Sequence, residues 1–212
     1  KHIIPETTET SWGNISIVKA MSLLLFEAIQ NGNNQYFIFR SASCLPITNF
    51  NSMYEFITSF KNKSLVSLGN KSGQHYKRFA YVKKTYEEGL TRDNFYKGET
   101  WSVLSREHVL TILKEINTFM YSFKDVYVPE EHVNIIIILI NYGRLALEDI
   151  PITMVKWDKP NSPHPHLFGP KLNNNEKKYI TDSVKKNNAF FGRKFDYDEN
   201  NDIEKFVMKI IK

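Results

Sequence analysis

Glu130-Glu131-His132, directly behind Pro129, puts two carboxylates and an imidazole in consecutive positions. A carboxylate in a partly desolvated cleft can take a proton from an attacking hydroxyl group. The same pair at a helix start also reads as a solvated pair favoured by the helix dipole. Arg193-Lys194, between Phe191 and Phe195, is a second candidate. Set over a diphosphate, adjacent cations would offset leaving-group charge; otherwise they are ordinary surface residues. Asp196-Tyr197-Asp198 spells the short Asp-x-Asp pattern that can hold a divalent cation, but it lies near the C-terminus rather than after a central strand. Pro163-His164-Pro165-His166 offers two histidines in an extended loop, too few for a metal site. Trp157 can stack on a sugar ring or cover core. Cys44, the single cysteine, reads as a small packing residue.

The elements that must carry these residues follow from periodicity. Val18, Met21, Leu24, Leu25 and Ala28 form a helical stripe that begins near Ile15 and stops at Asn31-Gly32-Asn33-Asn34. Tyr36 to Phe39 has strand character, and Arg40 to Pro46 is a small-residue loop at its end. Asn51 to Phe60 is a short helix, whereas residues 61–97 show little periodicity and read as a long functional loop. Trp101 to Leu104 is a strand, with Ser105 as the N-cap of a helix to about Tyr121. Pro129 opens the next helix, whose run Ile135 to Ile140 is buried core. Ile152 to Val155 is a strand, residues 158–175 a proline-punctuated loop, and residues 175–186 and 203–211 helices.

Composition narrows the class. With 212 residues and 42% hydrophobic content the chain suits one domain, 1–212, of α/β type. A net charge of +5 fits an anionic ligand such as a nucleotide. The basic residues are scattered, apart from the stretch Lys71 to Lys84, so nucleic acid is not the expected partner. One cysteine excludes an intrachain disulfide and favours a reducing, cytoplasmic compartment. No apolar run approaches the ~20 residues that span a bilayer, so no membrane attachment is visible.

The ordered motifs resemble those of the core-2/I-branching β-1,6-N-acetylglucosaminyltransferase family, plant-type branch. They are Ser11-Trp12-Gly13, Ser41-Ala42-Ser43-Cys44-Leu45-Pro46, Lys97-Gly98-Glu99-Thr100-Trp101 with Ser105-Arg106-Glu107, and Pro129-Glu130-Glu131-His132, followed by Val155-Lys156-Trp157, Pro163-His164-Pro165 and Phe191-Gly192-Arg193-Lys194-Phe195. The resemblance implies a GT-A-like fold with a mixed central sheet. It implies inverting, metal-independent transfer from a UDP-sugar, with no cofactor, to a hydroxyl of an acceptor glycan. Residue by residue, it assigns Glu131 as base, Lys194 with its neighbour Arg193 to the donor diphosphate, and Trp157 to the acceptor site. His166 or Lys171 would be the second diphosphate contact, and Lys77 and Arg78 would meet the acceptor. Golgi residence is the family analogy. The alternative is a descendant of the fold that binds sugar without catalysis. The family pattern carries further strands before its Trp-Gly motif, while 11 residues precede Trp12, so a missing N-terminal segment or a partner chain is expected to complete the nucleotide site.

Overall fold

A computed structural model describes residues 3–69, 73–159, 162, 164–187, 189–196 and 202–210. Lys71, Pro160, Pro163, Tyr197 and Asp198 lie outside the described residues. The chain divides into two compact units, each discontinuous in sequence: residues 1–39 with 62–150, and residues 40–61 with 151–212.

In the first unit, α1 (Ile15–Ile29) starts at Asn14, whose side chain accepts from the Ser16 amide. Its Val18, Met21, Leu25 and Ile29 are buried, the stripe that the sequence shows. α4 (Arg106–Ser122) packs against this helix. Arg106 fastens the two: its guanidinium donates to the carbonyls of Ile29, Asn31 and Asn34, each at 3.0 Å, and so occupies acceptors at the end of α1. α5 (Val133–Tyr142) is buried at every position from Val133 to Leu139 and forms the centre of the core. A four-stranded sheet runs β1 (Tyr36–Ile38), β4 (Val103–Ser105), β3 (Ser64–Val66), β5 (Leu147–Asp149). β1 and β3 are antiparallel to β4, while β3 and β5 are parallel.

Residues 61–97 are not the long loop expected. They hold β3 and the helix α3 (Gly73–Lys83), which carries Lys77 and Arg78. Ser105 stands at the N-cap of α4, but its side chain makes no capping bond. The hydroxyl that matters there is Ser64 Oγ, which accepts from the Ser105 amide at 3.0 Å and lies 2.7 Å from His108 Nδ1. Burial holds the His108 pKa below the ordinary imidazole value.

In the second unit, β2 (Leu45–Pro46), β7 (Phe191–Arg193) and β6 (Thr153–Val155) form a three-stranded sheet. The first pair is antiparallel and the second parallel. The mixed sheet expected for the fold class is therefore realised as two mixed sheets, one in each unit. α2 (Phe50–Ser59), α6 (Asn174–Asn187) and α7 (Asp202–Ile210) complete this unit. Its core gathers Ile47, Met154, Phe168, Leu172, Ile180, Phe195, Ile203 and Val207. Among the described residues, no helix is long and apolar enough to cross a membrane.

Candidate active site

In the first unit, three of the motifs meet at one turn. Pro129 to Glu131 is a single 3-10 turn ahead of α5, entered through Val128, whose φ of 54° and ψ of 54° are left-handed. A β-branched residue adopts that conformation only under constraint. The constraint is visible: the Val128 amide donates to the Gly13 carbonyl at 3.0 Å, and its side chain is buried. Gly13 itself has φ +71°, and a Cβ there would lie 2.7 Å from Tyr127 Cε2. On another side of the turn the Gly98 amide donates to the Glu131 carbonyl at 2.8 Å. A Cβ on Gly98 would come within 2.9 Å of the Ser67 carbonyl oxygen and 2.4 Å of Ile135 Cδ1. The glycines of the Trp-Gly and Lys-Gly motifs thus allow two backbones to close on the Pro-Glu-Glu-His turn.

The side chains there are charged and half-buried. Lys97 Nζ lies 2.9 Å from Glu131 Oε2 in an ion pair. The carboxyl of Glu130 faces inward, and its Oε2 is buried without a hydrogen-bond partner among the described residues. Burial, and then the neighbouring Glu131 charge, raise its pKa to about 7 against the lowering effects of its own amide, Arg78 and Lys97. His132 is fully buried. Its Nδ1–H donates to the Tyr96 carbonyl at 2.7 Å, which leaves Nε2 to accept from Arg78 Nη1 at 3.2 Å. Burial pushes its pKa down to about 3, so the ring stays neutral while it positions Arg78. The Arg78 guanidinium also lies 5.8 Å from the centre of the Tyr127 ring. His75, buried beside His132 at a ring separation of 5.9 Å, closes the cluster.

Of the residues assigned from sequence, Glu131 and Arg78 stand together here. Lys77 is exposed on α3. Sequence reasoning missed Lys97 as the partner of Glu131, Glu130 as a distinct acid, and the Arg78–His132 bond. Lys97 sits inside a quoted motif, but nothing in its spacing shows that it folds back onto Glu131.

The remaining assigned residues belong to the second unit. Arg193 ends β7 and Lys194 follows it, its carbonyl accepting from the Phe168 amide at 2.8 Å. Gly192 is required between them and Phe191, because a Cβ would lie 2.8 Å from Phe195 Cε2. Arg40 stacks 3.7 Å over the Phe191 ring, and burial lowers its pKa to about 10, so it remains a cation at neutral pH. In the loop before β2, Cys44 Sγ lies 3.3 Å from Ser41 Oγ. Trp157, after β6, is exposed.

His166 is held between two carboxylates, with Nδ1 2.8 Å from Asp158 Oδ1 and Nε2 2.9 Å from Glu176 Oε1. Glu176 also closes a capping box at the start of α6: its Oε2 accepts from the Asn173 amide at 2.8 Å, and Asn173 Oδ1 accepts from its amide at 3.0 Å. Burial alone would raise the Glu176 pKa, but these bonds and His166 outweigh it and hold the pKa low. His166 thereby ties the proline loop to α6. In the Asp-x-Asp stretch, the Asp196 amide donates to the Phe168 carbonyl at 2.9 Å. Among the described residues, no three His, Cys, Asp or Glu side chains gather as metal ligands.

Comparison with known proteins agrees with the motif pattern. The family model for the core-2/I-branching enzyme matches residues 1–181. The chain is similar to glycosyltransferase BC10 of Oryza sativa subsp. japonica, at 28% identity over 113 residues. That match covers 53% of this chain and 27% of the rice protein, so the chain spans only a minor part of its relative. The chain belongs to the core-2/I-branching enzyme family.

Proposed function

We propose that the chain forms the acceptor-activating and diphosphate-binding parts of a glycosyltransferase that moves a sugar from a UDP-sugar to an acceptor glycan hydroxyl, with inversion and without a metal. The observation that carries the reading is the Pro129–Glu131 turn. It presents a half-buried carboxylate, paired with Lys97, beside Arg78 on three tightly packed backbones. Glu131 accepts the proton of the attacking hydroxyl as its oxygen bonds to the anomeric carbon from the face opposite UDP. The bond from that carbon to the diphosphate oxygen breaks, and UDP leaves with the added negative charge. Lys194 and Arg193 offset that charge, the task a divalent cation performs elsewhere. His166, with both ring nitrogens facing carboxylates, contributes by fixing the loop between Asp158 and α6. Trp157, Lys77 and Arg78 meet the acceptor, and Arg78 is oriented for this by His132.

The test is turnover of UDP-sugars in EDTA by the wild type and by Glu131→Gln. Transfer should persist in EDTA and fall roughly 10²- to 10⁴-fold in the variant, the usual contribution of a general base. Equal turnover in the two proteins would remove Glu131 from the mechanism. Loss of wild-type turnover in EDTA, restored by added Mg²⁺ or Mn²⁺, would remove metal independence.

A further inference from the structure

The surface next to the Glu131 turn carries two large aromatic rings, and nothing in the reaction outlined above uses them. Trp12 is 67% exposed and Tyr127 52% exposed. Their ring centres are 5.3 Å apart at an interplanar angle of 83°, so the pair forms a right-angled corner. The corner is built rigidly. Gly13 lies so close under Tyr127 that a Cβ would reach Cε2 at 2.7 Å. The Gly13 carbonyl in turn holds the amide of left-handed Val128, the residue between Tyr127 and the catalytic turn. Arg78 links the corner to that turn, with its guanidinium 5.8 Å from the Tyr127 ring and one donor on His132 Nε2.

The chemistry of such a corner is specific. An aromatic face carries partial negative charge, and the C–H bonds on one face of a pyranose are its electropositive complement. Rigid rings lose little conformational freedom when a ligand stacks on them. A guanidinium at the rim adds a fork of donors suited to sugar hydroxyls.

We propose that Trp12 and Tyr127 form a stacking subsite for a pyranose ring of the acceptor glycan, one that fixes the acceptor's approach to Glu131. The choice of ligand rests on the sugar-transfer reading, while the site stands on its own geometry. Trp12 supplies the larger face, Tyr127 the wall, and Arg78 a hydrogen-bonding rim. Sugars that present an unbroken C–H face, as β-linked glucose, xylose and N-acetylglucosamine do, are the class that fits.

The test uses the whole chain labelled with ¹⁵N, titrated with the β-linked trisaccharides of these three sugars. At least one should shift the Trp12 indole N–H signal saturably, with Trp101 unmoved. Trp12→Ala should weaken that binding about tenfold, the scale of one lost aromatic stacking contact, and Trp12→Phe should recover part of it. Trp12 is exposed, so an unchanged thermal midpoint in each variant establishes that the fold is kept. A Trp12 signal indifferent to all three trisaccharides, or equal affinity in Trp12→Ala, overturns the subsite. Glu131→Gln separates the two proposals. If it still transfers sugar, the base assignment fails and a shifted Trp12 signal leaves the subsite standing. If it loses transfer while Trp12 does not respond, the subsite alone fails.

Discussion

Glu130 and Glu131 are neighbours with different surroundings: Glu130 Oε2 is buried without a hydrogen-bond partner among the described residues, and Glu131 is ion-paired with Lys97. Glu130 has a pKa near 7 in the fold against 4.5 in the unfolded chain, so the native state binds the extra proton between those values. Its contribution to stability is complete below pH 4.5 and disappears as pH rises through 7. His132 acts in the opposite sense. Its pKa of about 3 in the fold against 6.5 unfolded gives stability that is complete above pH 6.5 and is lost as pH falls. Between pH 4.5 and 6.5 the two slopes oppose one another. Urea unfolding across pH 4.5–7.5 should therefore show Glu130→Gln gaining on the wild type as pH rises. The gain should total about 1–2 kcal/mol, after discounting for the part of the carboxyl that water still reaches. Parallel curves for the two proteins would show that Glu130 titrates as an ordinary surface acid. The chemistry at this turn was only partly legible from sequence. Family order singled out Glu131, but the different surroundings of the two adjacent acids depend on Arg78 of α3 and on Lys97, each more than 30 residues away in sequence.

At the scale of elements, Gly98 is where the segment after Lys97 meets the Pro129–Glu131 turn, its amide donating to the Glu131 carbonyl. Gly98→Ala should destabilise the chain by about 2 kcal/mol, as overpacking typically does. Adding Ile135→Val to that variant should recover only part of the loss. Valine has no Cδ1 to clash, while the Ser67 carbonyl belongs to the backbone and cannot yield as a side-chain tip can. Chemical denaturation of the single and double variants measures both effects, and full recovery would mean that the backbone contact is harmless. The elements differ in how far sequence revealed them. α1, α4 and α5 were readable because their buried residues recur at helical spacing or fill a continuous apolar run. β3 and β5 are three residues each, too short for alternation to register, and they exist because they pair in parallel with one another. α3 lacks a clear apolar stripe: among its described side chains only His75 and Val82 are buried, so its lysines and tyrosines gave it the look of a loop. Ser105 takes the N-cap position read from sequence but makes no side-chain capping bond, and its own amide is held instead by Ser64 from β3.

For the molecule as a whole, the two cores are unequal. The first has α5 buried at every position from Val133 to Leu139 and packed against α4, whereas the second has the lysine-rich α6 and, in β2, a strand of two residues. Local openings draw on the apolar surface that they expose. Amides of α4 and α5 should accordingly exchange with solvent at least about tenfold more slowly than those of β2, β6 and β7, a gap of about 1.4 kcal/mol. Hydrogen exchange read by mass spectrometry or NMR checks this, and equal protection would mean that the cores open together. The register of β2 has a further consequence, one for synthesis. Leu45 and Pro46 pair with Gly192 and Phe191, partners far removed along the sequence. On the ribosome, β2 emerges with the exposed aromatics Phe50 and Tyr54 close behind it, and its partner strand is made only well over a hundred residues later, at Phe191 and Gly192. Closing so long a loop is slow, and an unpaired edge beside apolar side chains is what chaperones recognise. Nascent chains halted before Phe191 should be the aggregation-prone species of this protein.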